Sequence, residues 1–324
     1  MLRFFRSSKF RVIVTIIFVG ILTWLQALSE PEIVVSEKYG TFMFSALNGW
    51  LANMYALQIM IGLFLFLTAA IILIFVNTRL RLIGKLSYMP TLCYILLIGG
   101  APEIHLFNPA IIATILLIAG FILLLDSFEN EQLSYCYFTV PALISLSTFF
   151  YQYMYVYMLV VWIVIALWRP GYWREWVFSI LGFALPIFFK FSWFFLVEDD
   201  ATRMVDFLHE IFSIQRENPS LSVSMLIFFS SSASLVFITI FNCWHYISAK
   251  KTAIRTGFYV LTLIAVITAG MVIAVPDMLP LAWYLFAFPL SLFISCFLAN
   301  VKSKLWGNIV LAILFILVIF FAKG

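Results

Sequence analysis

The chain predicts an all-α fold: a polytopic transmembrane helix bundle of about eleven spans, forming a single domain over residues 1–324. Three observations predict it. Of the 324 residues, 65% are hydrophobic and only 10% charged, whereas an ordinary soluble domain is about 25% charged. Apolar runs recur along the whole length, most of them near the roughly 20 residues that cross a bilayer. Basic residues collect in every second gap between those runs. A chain so poor in polar surface takes lipid as its main solvent.

In chain order the candidate spans lie near 12–28, 54–76, 86–100, 109–125, 137–151, 153–168, 176–197, 221–245, 257–275, 279–299 and 305–322. The first follows basic residues, as the core of a signal peptide would. No small-residue cleavage site follows it and the run is span-length, which predicts a retained helix. The third, fifth and sixth are short, so tilt, re-entry or irregular backbone is expected there. Pro90, Pro141, Pro186, Pro280 and Pro289 fall in or near spans. Membrane bundles tolerate such prolines when neighbours satisfy the freed carbonyls.

Orientation follows from the positive-inside rule. With the N-terminus cytoplasmic, 14 of the 19 Lys and Arg residues face inward, among them Arg3 to Arg11, Arg79 to Lys85, Arg169, Arg174, Lys250 to Arg255, Lys302 and Lys304. The C-terminus then lies outside. Eleven of the fifteen Asp and Glu residues fall on the outer side. One inner loop, Asp126–Gln132, is acidic and runs against the pattern.

Chemistry is therefore sought on the outer face. The first outer loop, 29–53, places Glu30, Glu32 and Glu37 within eight residues. Glu30 and Glu32 flank Pro31, which favours extended or turn backbone. Beyond Gly40, apolar residues at helical spacing with Phe42, Phe44 and Trp50 predict an interfacial amphipathic helix. The short second loop offers Glu103 and His105 between two prolines. The third, 198–220, predicts an outer amphipathic helix with Asp200 as N-cap, an apolar stripe through Met204, Leu208, Ile211 and Phe212, and Arg203 among its polar residues. Asp277 lies between Pro276 and Pro280.

Lys190 stands alone inside the run LPIFFKFSWFFLV. An intramembrane charge costs a few kcal/mol and marks a functional site by default. The competing reading is a lysine that snorkels to an interface roughly 10 Å away. For the first-loop glutamates the alternatives are a solvated loop or a catalytic base. A carboxylate there could deprotonate an acceptor hydroxyl while a cation from another segment, Lys190 or Arg203, holds a lipid-linked phosphate. His105 and Glu103 join this substrate-binding set as loop residues of the same face, although packing is the commoner use of such a histidine.

No cofactor and no metal is called for. Cys93, Cys136, Cys243 and Cys296 lack metal-ligand spacing and read as buried small hydrophobes. No zinc-protease, phosphate-loop, nucleophile-elbow or paired-cysteine pattern occurs. No nucleic-acid module is visible, and topology accounts for the inner basic clusters. The partners expected are the lipid bilayer, a polyprenyl-phosphate lipid and a membrane or periplasmic protein.

Two resemblances add to this reading. The FxxSKxR box at 5–11, the pattern WRPGYWREWVFSILGFALP at 168–186 and the pattern FAFPLSLFISCFLANVKSKLWGNIVLAIL at 286–314 resemble a bacterial family of polytopic inner-membrane proteins of uncharacterised function. That implies the bacterial inner membrane. More broadly, the acidic first outer loop and the stretches PTLCYILL, NPAIIATILLIAGFILLL and VPALISLSTFFYQY within 77–170 resemble the GT-C glycosyltransferase architecture. It implies transfer of a sugar carried on polyprenyl phosphate, with a first-loop carboxylate as base; Glu30, Glu32 and Glu37 are the candidates. Glu-Pro-Glu stands here where that family carries a paired Asp-Asp or Asp-Glu. Three functions fit: a lipid-linked-sugar glycosyltransferase at the outer face, a non-catalytic membrane subunit of an envelope assembly or export system, and a transporter or lipid flippase.

Overall fold

A computed structural model describes residues 10–25, 40–51, 54–80, 87–101, 104–129, 134–197, 205, 207–209, 211, 223–248, 250–301 and 304–321. Among them the backbone is helical apart from short connections and one isolated bridge, Gly40 to Tyr151. In chain order the helices are α1 (Phe10–Leu25), α2 (Phe42–Leu51), α3 (Tyr55–Leu80), α4 (Met89–Gly99), α5 (Pro109–Glu129), α6 (Cys136–Thr148), α7 (Met158–Trp168), α8 (Trp173–Val197), α9 (Val223–Ser248), α10 (Thr252–Ala274), α11 (Leu279–Asn300) and α12 (Lys304–Phe321). A 3₁₀ segment, Gln152–Tyr157, leads into α7, and another, Pro276–Met278, leads into α11.

Over its described residues every apolar run singled out in the sequence contains a helix, the fifth leaving it after Thr148. Among the described residues, five helices are long and apolar enough to cross a membrane: Tyr55–Thr78, Pro109–Phe128, Trp173–Leu196, Thr252–Ala274 and Pro276–Asn300. The remaining runs form shorter apolar helices. The chain is thus an all-α protein of membrane-spanning character. α4 has 11 residues, about 16 Å at 1.5 Å each, half of a bilayer core. α6 has 13 residues. The prolines divide by position. Pro90 and Pro280 sit in first turns, where the missing donor has no partner to lose. Pro141, Pro186 and Pro289 lie inside α6, α8 and α11.

Contacts sort the helix ends into two sets. At one end Trp24 of α1 meets His105, Phe44 of α2 meets Phe107, and Trp283 of α11 bonds the Leu97 carbonyl of α4. At the other, Asn77 of α3 bonds the Ser87 carbonyl, and Arg169 after α7 reaches Ser127 of α5. We refer to these as the Trp24 end and the Arg169 end. The alternation fits antiparallel neighbours joined by short connections.

Burial separates centre from rim. The most apolar stretch of α11 is 94% buried, that of α8 only 17%. All eleven residues of α4 are buried as well. Since lipid is as apolar as leucine, close packing rather than water exclusion must hold such helices together. Gly182 of α8 shows this: a Cβ there would run into the backbone carbonyl of Phe138 in α6. The two backbones touch where no side chain separates them.

At the Arg169 end, Pro170 and Gly171 turn the chain so that Arg169 lies over the first turn of α8. Its Nη1 donates to Glu175 Oε1 at 2.9 Å and its Nη2 to the Ser127 carbonyl at 3.3 Å. The guanidinium also lies over the rings of Tyr137 and Tyr172. Glu175 is buried and Arg169 largely so, with side-chain exposures of 3% and 11%.

Candidate functional site

The half-helix α4 ends at Gly99, inside the bundle, and the described residues that follow, 100–101 and 104–108, are short turns and irregular backbone. Non-helical backbone at that depth is tolerated only where protein satisfies its polar groups. Trp283 Nε1 donates to the Leu97 carbonyl at 2.8 Å, and the Tyr284 hydroxyl to that of Ile104 at 2.9 Å. Asn108 caps α5 by accepting from the Ile111 N–H, while its amide donates to the Ile104 and Leu106 carbonyls. On the far side, Gly62 of α3 lets the segment approach: a Cβ would lie 3.0 Å from backbone atoms of Leu106 and Phe107.

His105 lies in this segment and is fully buried. Its Nε2 is 3.1 Å from the Ile98 carbonyl, the geometry of an N–H donated to that oxygen. Its ring stacks on Trp24 with centroids 4.6 Å apart, Trp24 on Phe66 at 5.0 Å, and Phe66 on Tyr94 at 5.9 Å. Burial pushes the His105 pKa down to about 4; the Ile98 and Thr23 carbonyls oppose the shift without overcoming it. The His105 ring thus packs in the aromatic stack, where burial disfavours its charged form.

A stability consequence follows. The folded pKa lies below the unfolded value of about 6.5, so the unfolded chain binds the proton more readily. The neutral ring's contribution is complete above that value and lost as pH falls from about 6.5 towards 4. Unfolding in detergent at pH 5 is expected to show about 2 kcal/mol less stability than at pH 7.5. His105→Phe, which keeps the stack on Trp24, should flatten that dependence. An unchanged slope would assign the acid sensitivity to other groups.

The second feature at this end surrounds Lys190. The segment after α1 rejoins the described residues at Gly40, which bridges to Tyr151. Thr41 N and Met43 N donate to the Phe150 and Phe149 carbonyls at 3.1 Å each, and Thr41 Oγ1 to the Thr148 carbonyl at 2.8 Å. These bonds use carbonyls freed where α6 ends. They set Phe42 against α8, where its ring lies 3.4 Å from Lys190 Nζ; the Phe194 ring lies 4.3 Å from the same atom. A cation on two aromatic faces keeps part of its attraction where water is scarce. Phe149, Phe194, Phe207 and Ile211 pack into a small separate apolar cluster beside it.

Lys190 is half-buried. Glu30, Glu32, Glu37, Glu103 and Arg203 lie outside the described residues, as does most of 198–220. In that stretch Val205, Phe207 to His209 and Ile211 are helical. The described site residues, His105 and Lys190, stand in separate settings: one in a sealed aromatic stack, the other at the packed junction of Phe42 and Phe194. No group of three or more metal-ligating side chains occurs among the described residues.

A cleft of about 530 Å³ opens between α9, α10 and α11. Phe229, Phe237, Val266, Trp283, Phe286 and Phe293 contribute to its lining, in which Ser230 and Thr262 supply the hydroxyls. Sequence reasoning missed this cleft and the Arg169–Glu175 pair. Comparison with known proteins finds no matching family model, no matching curated protein and no matching solved structure.

Proposed function

We propose that the chain is a bacterial inner-membrane enzyme of GT-C-like architecture, with eleven spans and a cytoplasmic N-terminus. In this reading it transfers a sugar from a polyprenyl-phosphate carrier at the outer face, which the Trp24 end presents. The observation that carries this reading is the contact between Phe42 and Lys190. It joins the return of the acidic first loop to the cation inside α8, with the Nζ 3.4 Å from the ring centre. Glu37 precedes Gly40 by three residues in sequence. The ammonium pairs with the carrier phosphate. Glu30, Glu32 or Glu37 takes the proton of the acceptor hydroxyl as general base. Arg203 and Glu103, which the sequence assigns to outer loops of the same face, complete the proposed substrate-binding set.

The test is glycan transfer in cells and in vesicles. Loss of a general base should slow transfer about 100-fold or more, so at least one of Glu30→Gln, Glu32→Gln and Glu37→Gln should do so. Lys190→Gln should raise the KM for the lipid carrier, with Lys190→Arg recovering part of it. Normal transfer with all three glutamates replaced sinks the enzyme reading and favours a non-catalytic membrane subunit.

A further inference from the structure

The cleft between α9, α10 and α11 runs from Leu226 and Leu279 to Ile240 and Phe293, a rise of about 21 Å along α9 and α11. It starts at the Trp24 end, where Phe228 and Phe229 of α9 pack on Trp283 of α11. The Trp283 ring lies 4.7 Å from Phe229 and 6.1 Å from Phe286, and its Nε1 donates to the Leu97 carbonyl, which fixes it in the wall. Between these rings the walls are small: Ser230 and Ala233 of α9, Ala265 and Ala269 of α10. Small residues ordinarily let facing membrane helices close on each other. Here they line open space. Leu226, Phe237 and Val266 are exposed at the rim, so the cleft is continuous with the apolar outer surface of the bundle.

We propose that this cleft is a site for one acyl chain of a bilayer phospholipid, lying along α9 and α11 with its head group at the Trp24 end. The hydrogen bonds of the lining select the occupant. Ser230 Oγ donates to the Ile227 carbonyl at 3.1 Å, Thr262 Oγ1 to the Phe258 carbonyl at 2.8 Å and Trp283 Nε1 to the Leu97 carbonyl at 2.8 Å. These protons are already donated within the protein, so a ligand that carried carbonyls or hydroxyls into the cleft would bury them without a donor. Water is excluded for the same reason, since an apolar space of this kind stays dry. Left empty, the walls would forgo their dispersion contacts on one side. A hydrocarbon chain meets all three conditions. Its source follows from continuity: the rim opens on the surface that faces lipid, and the bilayer supplies acyl chains there. The long axis of the cleft follows α9 and α11, the direction of a chain descending from a head group, and its length fits within a hydrocarbon core of about 30 Å. The bound chain then supplies packing that the small residues leave out and joins α9 and α10 to α11. This inference is independent of the proposed transfer reaction.

The experiment places the full-length protein in nanodiscs of dioleoyl phosphatidylcholine, a small fraction of which carries a diazirine in the middle of one acyl chain. Irradiation and peptide mass spectrometry then locate the adducts. Adducts are expected on Ser230, Ala233, Ala265 or Ala269 as well as on the exposed α8 residues Phe189 and Leu196, which any surrounding lipid touches. Ala233→Phe and Ala269→Phe, which fill the cleft from opposite walls, should each lose the cleft adducts and keep those on α8. The same variants should also lose the rise in melting temperature that added dioleoyl phosphatidylcholine gives the wild-type protein in detergent, whereas Ile180→Phe on the exposed face of α8 should retain it. Exchanging phosphatidylcholine for phosphatidylglycerol should leave the adduct pattern unchanged. Adducts on α8 with none in the cleft, cleft adducts that survive both variants, or a pattern set by the head group overturn the proposal. So does cross-linking of the cleft walls to a second copy of the chain, which would make the cleft a protein interface.

Discussion

Replacing Arg169 with methionine is expected to destabilise the folded protein by about 3–5 kcal/mol, because it removes one member of a buried ion pair and leaves the other charge uncompensated. Glu175 Oε1 would lose its 2.9 Å bond. Its Oε2 already has no hydrogen-bond partner among the described residues. The site offers little replacement, since the Glu175 side chain is only 3% exposed. Position in the first turn of α8 helps the carboxylate slightly, worth about 0.3–1 kcal/mol where a charge is exposed. That is too small to offset the loss. The same reasoning predicts rescue: Arg169→Met with Glu175→Leu removes both charges and should recover most of the stability. Denaturation in mixed detergent micelles, followed by tryptophan fluorescence, measures both variants. A single variant within about 1 kcal/mol of wild type would mean that the pair behaves like one at a solvated surface.

This ion pair also shows what the sequence conveyed and what it withheld. The apolar segments were legible because hydropathy acts locally: over its described residues each contains a helix whatever it packs against. The short third, fifth and sixth runs were legible for the same reason, since α4, α6 and α7 have only 11, 13 and 11 residues. Arg169, by contrast, was counted as one of many loop cations. Its partner is six residues away, across Pro170 and Gly171, and only the turn and the packing of α5 and α6 around it turn surface charge into buried charge. His105 illustrates the converse. Its neighbours in sequence are those of an exposed loop, yet contacts with Trp24, 81 positions earlier, place it in a sealed stack. The Gly40–Tyr151 bridge is a backbone interaction and leaves no trace in residue type. Lys190 alone announced itself, because a charge in an apolar run is visible without knowing the fold.

Replacing Gly182 with leucine should have the other large effect, and it connects packing to the proposed Lys190 site. A single added methyl group at this position meets the Phe138 carbonyl, with the carbonyl carbon 2.9 Å and the Cα 3.1 Å away. These are backbone atoms, so no rotamer change relieves the clash; α8 must move away from α6. Overpacking in a tight core costs about 1–3 kcal/mol and more where backbone blocks relief. The rest of the contact is lost with it, because small residues are what allow two membrane helices to pack closely. Only 17% of the most apolar stretch of α8 is buried, so the helix has little other burial to hold it. Gly182→Leu is therefore expected to destabilise by more than about 3 kcal/mol, with Gly182→Ala intermediate. The displacement also reaches Lys190, eight residues further along the same helix, and should pull its Nζ from the faces of Phe42 and Phe194. If the proposed Lys190 site depends on that placement, the alanine variant should lose substrate affinity beyond its loss of folded protein. Equal losses of folded fraction and transfer would show instead that the α6–α8 contact serves stability alone.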